Sequence, residues 1–159
     1  MPLQDRALEP EVHSRHVERI EAHLRHIAFI VRKRGRSFLN NFDITSPQFE
    51  ALMVLDRHDN IAMGELCNRL KVASSTITDL VDRLEKSGLA TRVRDPDDRR
   101  VIRLQILPKG RKLIDGVLSA WRTYLSGVLA GSSVEELEQL VSSLEYLDDL
   151  LTKKESGAP

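Results

Sequence analysis

Around Gly88 the spacing of apolar residues changes from helical to alternating, and that change restricts the fold more than any other feature of the chain. Before it, Met63-Gly64-Glu65-Leu66-Cys67-Asn68-Arg69-Leu70 turns Leu66 and Leu70 to one face of a short helix. A second helix opens at Ser74 and Ser75 and aligns Ile77, Leu80, Val81 and Leu84. About three residues separate the two, the spacing of a helix-turn-helix. Gly88 supplies a left-handed stop. Beyond it, Leu89 to Arg94 and Val101 to Leu107 read as strands, with Ile102, Leu104 and Ile106 alternating against Arg103 and Gln105. The polar run Asp95-Pro96-Asp97-Asp98-Arg99-Arg100 turns the chain between them. A helix pair followed at once by a hairpin predicts a winged helix-turn-helix.

The flanks are helical. From about Glu11 to Asn40, Ile20, Leu24, Ile27, Val31 and Phe38 recur at helical spacings, and Arg32-Lys33-Arg34 with Arg36 sits near the C-terminal end, where cations suit the helix dipole. Thr45-Ser46-Pro47-Gln48 carries the signature of a capped start, with Gln48 placed to return the bond, and Phe49, Leu52, Met53 and Leu55 follow until His58-Asp59-Asn60. Pro108 suits the first turn of another helix that shows Leu113, Val117, Trp121, Tyr124, Leu125 and Val128 on one side and ends at Gly131. Ser132 and Ser133 each precede a glutamate by three residues, opening a last helix whose Leu137, Leu140, Val141, Leu144, Leu147 and Leu151 fall at near-heptad spacing. Lys153 to Pro159 reads as a frayed tail.

With 159 residues, 41% of them apolar, 30% charged and 4% aromatic, the chain is sized for one globular, helix-rich domain. No run approaches the roughly 18 apolar residues of a membrane span, and Met1-Pro2-Leu3-Gln4-Asp5-Arg6 lacks the pattern of a secretory leader, so a cytoplasmic location without membrane contact is expected. The formal net charge is zero, but it is segregated: residues 65–112 carry 12 Lys and Arg against 7 Asp and Glu, residues 113–159 carry 3 against 8. A basic middle joined to an acidic end fits a polyanion-binding surface whose partner segment faces elsewhere.

The runs Ile44-Thr45-Ser46-Pro47-Gln48-Phe49-Glu50-Ala51-Leu52, Met63-Gly64-Glu65-Leu66, Ser75 to Leu89, Arg94-Asp95-Pro96-Asp97-Asp98-Arg99-Arg100 and Leu107-Pro108-Lys109-Gly110 resemble the MarR family in order and spacing, over roughly residues 44 to 115. The resemblance implies a mainly α fold with a small β-hairpin wing, in which N- and C-terminal helices form a dimerisation lobe. It divides the chain into residues 1–43 and 113–159 for dimerisation and 44–112 for DNA. It further implies a homodimeric regulator of double-stranded DNA, commonly a repressor released by a small-molecule effector or an oxidant, with an effector pocket lined by the first, second and fifth helices.

On that reading Ser74, Ser75, Thr76 and Thr78 present short hydroxyls to base edges or phosphates, or else cap their own helix. Asp79 either accepts from cytosine N4 or steadies the helix as a first-turn acid, the second being the plainer reading. The family's Asp-x-Arg pattern is matched by Asp98-Arg99-Arg100, which implies that Asp98 orients Arg100 into a minor groove. Arg94 and Arg99 flank it as phosphate contacts, and Lys71 is a further basic candidate. Leu107 stands where relatives carry a capping threonine.

Other chemistry finds little support. There is no Gly-x-Ser-x-Gly elbow, phosphate-binding glycine loop or His-Glu-x-x-His pattern, so no enzyme is expected and no cofactor is implied. Cys67, the only cysteine, reads as a core thiol rather than a redox switch, since the family's peroxide sensors carry theirs in the first helix. His13, His16, His23 and His26 form two i,i+3 pairs that read as a solvated helix face rather than a metal site. A winged helix that binds protein instead of DNA is the competing class.

Overall fold

The computed structural model describes residues 10–156, which fall into two compact units, one ending at Trp121 and the other starting at Arg122. The first contains α1 (Pro10–Asn41), α2 (Ser46–Arg57), β1 (Ile61–Ala62), α3 (Met63–Leu70), α4 (Ser74–Lys86), β2 (Ala90–Arg94), β3 (Ile102–Ile106) and most of α5 (Pro108–Val128). The second holds the end of α5 and α6 (Val134–Ser156). No helix among the described residues is long and apolar enough to cross a membrane.

The core of the first unit is the set of stripes visible in the sequence. Leu52, Leu55, Leu66, Ile77, Val81, Leu84, Leu104 and Val117 are fully buried, so α2, α3, α4, α5 and the hairpin close around one apolar centre. Each such side chain contributes about 1.5–3 kcal/mol by leaving water. The sheet has three antiparallel strands in the order β1-β3-β2, and Ile61 and Arg92 both pair with Leu104. The strand β1 is too short to show an alternating pattern and was not expected. It closes the inner edge of the hairpin and fixes the start of α3.

Helix ends follow their local chemistry. Gln48 accepts from the backbone N–H and the hydroxyl of Thr45, each at 2.9 Å, and Ser133 and Glu136 form a reciprocal capping box at 2.8 and 3.2 Å. Gly88 (φ 68°) ends α4: its N–H donates to Glu85 and that of Leu89 to Leu84, both at 2.9 Å, while buried Leu84 and Leu89 supply the accompanying apolar residues. The same pair of bonds ends α3 at Lys71, where a residue with a Cβ adopts φ 53°. At Gly110 a Cβ would stand 2.3 Å from the Leu89 carbonyl oxygen, so glycine is what lets α5 lie on the hairpin.

One expectation is corrected. Lys153 to Ser156 continue α6 instead of fraying, and residues 157–159 lie outside the described residues. In the first helix the buried residue is Leu39; Phe38 is half-buried and Ile20, Leu24, Ile27 and Val31 are exposed on the single chain. Helix α6 buries no side chain among those described, with Leu140, Val141, Leu144 and Leu151 all exposed.

Candidate nucleic-acid interface

Helix α4 presents one dry and one wet face. With Ile77, Leu80, Val81 and Leu84 inward, Ser74, Ser75, Thr76, Thr78, Asp79, Asp82, Arg83 and Lys86 are exposed. Ala73 occupies the N-cap and no side chain caps the helix, so the hydroxyls of Ser74, Ser75 and Thr76 are not used as caps. Thr78 donates its hydroxyl to the Ser74 carbonyl at 3.0 Å and keeps its lone pairs for an outside donor. Asp79 lies in the second turn and no acid lies in the first, which corrects the first-turn reading of that residue.

The hairpin is tied to α4 by a residue that sequence reasoning did not single out. The Glu85 carboxylate accepts the backbone N–H of Arg92 at 2.7 Å and also its guanidinium. Asp82 takes the same guanidinium at 2.6 Å, and the Thr78 carbonyl accepts from it at 3.4 Å. Partial burial opposes the charge on Arg92, but the two carboxylates outweigh it and raise its pKa. Helix and wing are thereby held in one register.

The loop between β2 and β3 is built on Asp95, the one buried charged side chain among the described residues. Its carboxylate accepts the backbone N–H groups of Asp97 at 2.8 Å and Asp98 at 3.0 Å, together with the guanidinium of Arg103. The Asp98 N–H, then Arg103, then the Asp97 N–H hold its pKa down to about 2. Arg103 also donates to the Asn60 carbonyl at 2.9 Å, anchoring the loop to the turn before β1. An Asp before a proline in a polar turn is the usual mark of such an Asx turn, and this signal in the sequence went unused.

On that base sit Asp98 and Arg100. Asp98 accepts the Arg100 backbone N–H at 3.0 Å and its Nε at 3.2 Å, while the Arg100 side chain stays 91% exposed. Arg94 and Arg99 are exposed on the same hairpin, and Lys71 is exposed at the end of α3. The structure therefore joins Asp98 to Arg100 and Ser74 to Thr78, and no hydrogen bond among those described links the α4 hydroxyls to the wing arginines.

A separate cavity of about 360 Å³ lies within the first unit, walled by Val31, Gly35 and Leu39 of α1, Phe49 of α2, and Val117 and Trp121 of α5, with Arg32, Arg36, Ser46 and Glu50 also lining it. Phe38 meets Trp121 edge to face with ring centres 5.1 Å apart. Cys67 is half-buried against the core. Among the described residues no three His, Cys, Asp or Glu side chains are grouped to hold a metal ion.

A helix with a hydroxyl-rich start, locked to a hairpin whose tip offers an oriented arginine, is the arrangement of a winged helix-turn-helix. The sequence model of the MarR family matches residues 44–102. The HTH-type transcriptional regulator YsmB of Bacillus subtilis is 40% identical over 139 residues, 87% of this chain and 95% of that one. The organic hydroperoxide resistance transcriptional regulator of the same bacterium is 31% identical over 77% of this chain and 82% of its own. Among solved structures, a MarR family protein from Bacillus stearothermophilus superposes with a TM-score of 0.80 at 40% identity, covering 87% of this chain and 97% of that one. The chain belongs to the MarR family, whose members are DNA-binding transcriptional regulators and not enzymes.

Proposed function

We propose that the chain is a homodimeric, ligand-responsive repressor in the cytoplasm that binds a pseudo-palindromic operator, with α4 in the major groove and the 95–101 loop in the adjacent minor groove. The observation that carries this reading is the Asp98–Arg100 pair, an exposed guanidinium whose direction is set before DNA arrives. A narrow minor groove over A·T pairs concentrates negative potential and rewards such a group. Ser74, Ser75, Thr76 and Thr78 supply hydroxyls to base edges and phosphates, while Arg94, Arg99 and Lys71 contact the backbone. Helix α4, about 20 Å long, fits a groove about 12 Å wide.

One reading helix and one wing bury too little for selective affinity, and two copies on two half-sites solve this. Residues 44–112 read DNA, and residues 1–43 and 113–159 pair the copies. A helix such as α6, which half-buries Leu137 and Leu147 but leaves Leu140, Val141, Leu144 and Leu151 exposed on its own chain, gains stability by covering them with a partner. The cavity between α1, α2 and α5 receives the effector, and its apolar walls with Arg32 and Arg36 suit a small apolar molecule bearing negative charge.

The test is fluorescence anisotropy on the duplex upstream of the protein's own gene against a scrambled duplex, over a salt series, with light scattering on the same sample. Selective, salt-sensitive binding of one dimer per duplex, weakened about tenfold or more by Arg100→Ala, is expected. Equal weak binding to both duplexes, or no effect of Arg100→Ala, transfers the winged helix to the protein-binding class.

A further inference from the structure

Three carboxylates lie on the outer half of α4, and their environments separate them. Asp82 and Glu85 share the single positive charge of Arg92, which ties them to the wing. Asp79 has no ion pair and no side-chain hydrogen bond among the described residues, and it is exposed beside Ser75, Thr76, Arg83 and Gln48 in a shallow groove between α2 and α4. At 100° per residue, Ser75, Asp79, Asp82 and Lys86 fall within about 30° of the line opposite the buried stripe of Ile77, Leu80, Val81 and Leu84. The one acid of the helix without an ion pair among the described residues thus lies on the face that the proposed function puts against base edges.

A carboxylate in that place is repelled by phosphates and by most of what the major groove displays. Guanine offers N7 and O6, thymine offers O4, and all three accept hydrogen bonds. Only cytosine N4 and adenine N6 donate, and adenine N6 lies beside the acceptor N7, which repels a second carboxylate oxygen. Cytosine N4 has no such neighbour on its own base. We propose that Asp79 is a specificity-determining residue that accepts a hydrogen bond from a cytosine N4 amino group at one position of each half-site. Its charge acts chiefly by exclusion: a duplex with thymine or guanine there faces an unpaired carboxylate, so discrimination is obtained without added affinity.

The inference rests on α4 reading the major groove, and the experiment separates the two. Duplexes selected from a randomised pool by the wild-type protein, Asp79→Ala and Asp79→Asn are sequenced, and the thermal midpoint of each variant is recorded. The wild type is expected to require cytosine at one position per half-site, with replacement by thymine weakening binding about tenfold or more. Asp79→Ala relaxes that position alone and leaves the rest of the site intact. Asp79→Asn moves the preference to adenine, whose N6 and N7 an amide contacts together. Both variants keep the wild-type midpoint, because the side chain is exposed and unbonded. A wild-type site that Asp79→Ala reads with unchanged preference at every position overturns the inference while leaving DNA reading by α4 in place. Enrichment of no sequence by the wild type overturns the groove assignment and this inference with it.

Discussion

Glu85 on α4 and Arg92 on β2 are joined twice, backbone N–H to carboxylate at 2.7 Å and guanidinium to carboxylate, across the Gly88 stop. The wing is therefore fastened to α4 at its root, about one strand length from the tip that carries Arg100. Arg92→Met removes the guanidinium and leaves two acids facing one another. A loss of about 1–2 kcal/mol is expected, the contribution of charge-assisted bonds reduced for partial solvent contact. Urea denaturation measures it. Asp82→Asn should cost less, because Asp82 is 57% exposed and makes one of the bonds only.

Gly110 and Gly64 both sit within helices, and the surroundings give their alanine variants opposite signs. A methyl group at position 110 would press on the Leu89 carbonyl and within 2.8 Å of Ile106, so Gly110→Ala should destabilise by about 1–3 kcal/mol through displacement of α5 from the hairpin. Nothing lies within 4 Å of the corresponding point at Gly64, and Gly64→Ala should stabilise by about 0.5–1 kcal/mol. Paired thermal melts decide both.

Much of this architecture was legible because apolar period and turn chemistry agree. Gly88 marks the junction of α4 with the hairpin and Pro108 the start of α5, and both stand where the sequence placed them. What was not legible depends on contacts between segments distant in the chain. The strand β1 exists only through its pairing with Leu104 and Arg103, and the burial of Leu39 near the end of α1, where the chain turns into α2, has no mark in the apolar spacing of that helix. At the candidate site the Asp98–Arg100 geometry matches the sequence motif, and the Asx turn of Asp95 was readable from Asp95-Pro96, whereas the roles of Glu85 and Arg92 and the pairing of Asp95 with Arg103 needed coordinates. Arg92 looks like one more basic residue of a basic segment until its two carboxylates are seen to surround it.

Lys71 carries two demands at once. Its φ of 53° in the turn between α3 and α4 is a conformation that costs a residue with a Cβ about 1–2 kcal/mol and glycine almost nothing. Lys71→Gly should raise stability by about 0.5–1 kcal/mol after the greater unfolded-state freedom of glycine is subtracted. If the ammonium touches a phosphate, the same change should weaken all duplexes alike and reduce the salt slope by about 1 per subunit. A stabilised variant with an unaltered salt slope would remove Lys71 from the interface and leave it a turn residue.

Asp95 makes the wing acid-sensitive. Its pKa is held at about 2, below the ordinary value of 3.8, so its carboxylate binds fewer protons in the folded chain than in the unfolded one. The stabilisation it provides is complete above about pH 4 and is lost as the pH falls towards 2, where protonation removes the acceptor for Arg103 and weakens those for the Asp97 and Asp98 N–H groups. Folding stability followed from pH 5 to pH 2 should therefore fall more steeply for the wild type than for Asp95→Asn, whose amide does not titrate. The asparagine variant, less stable at pH 7 for want of the charged acceptor, should approach the wild type at the acid end. Parallel curves across that range would mean that the loop keeps its shape without the carboxylate, and that the orientation of Arg100 is set by Asp98 alone.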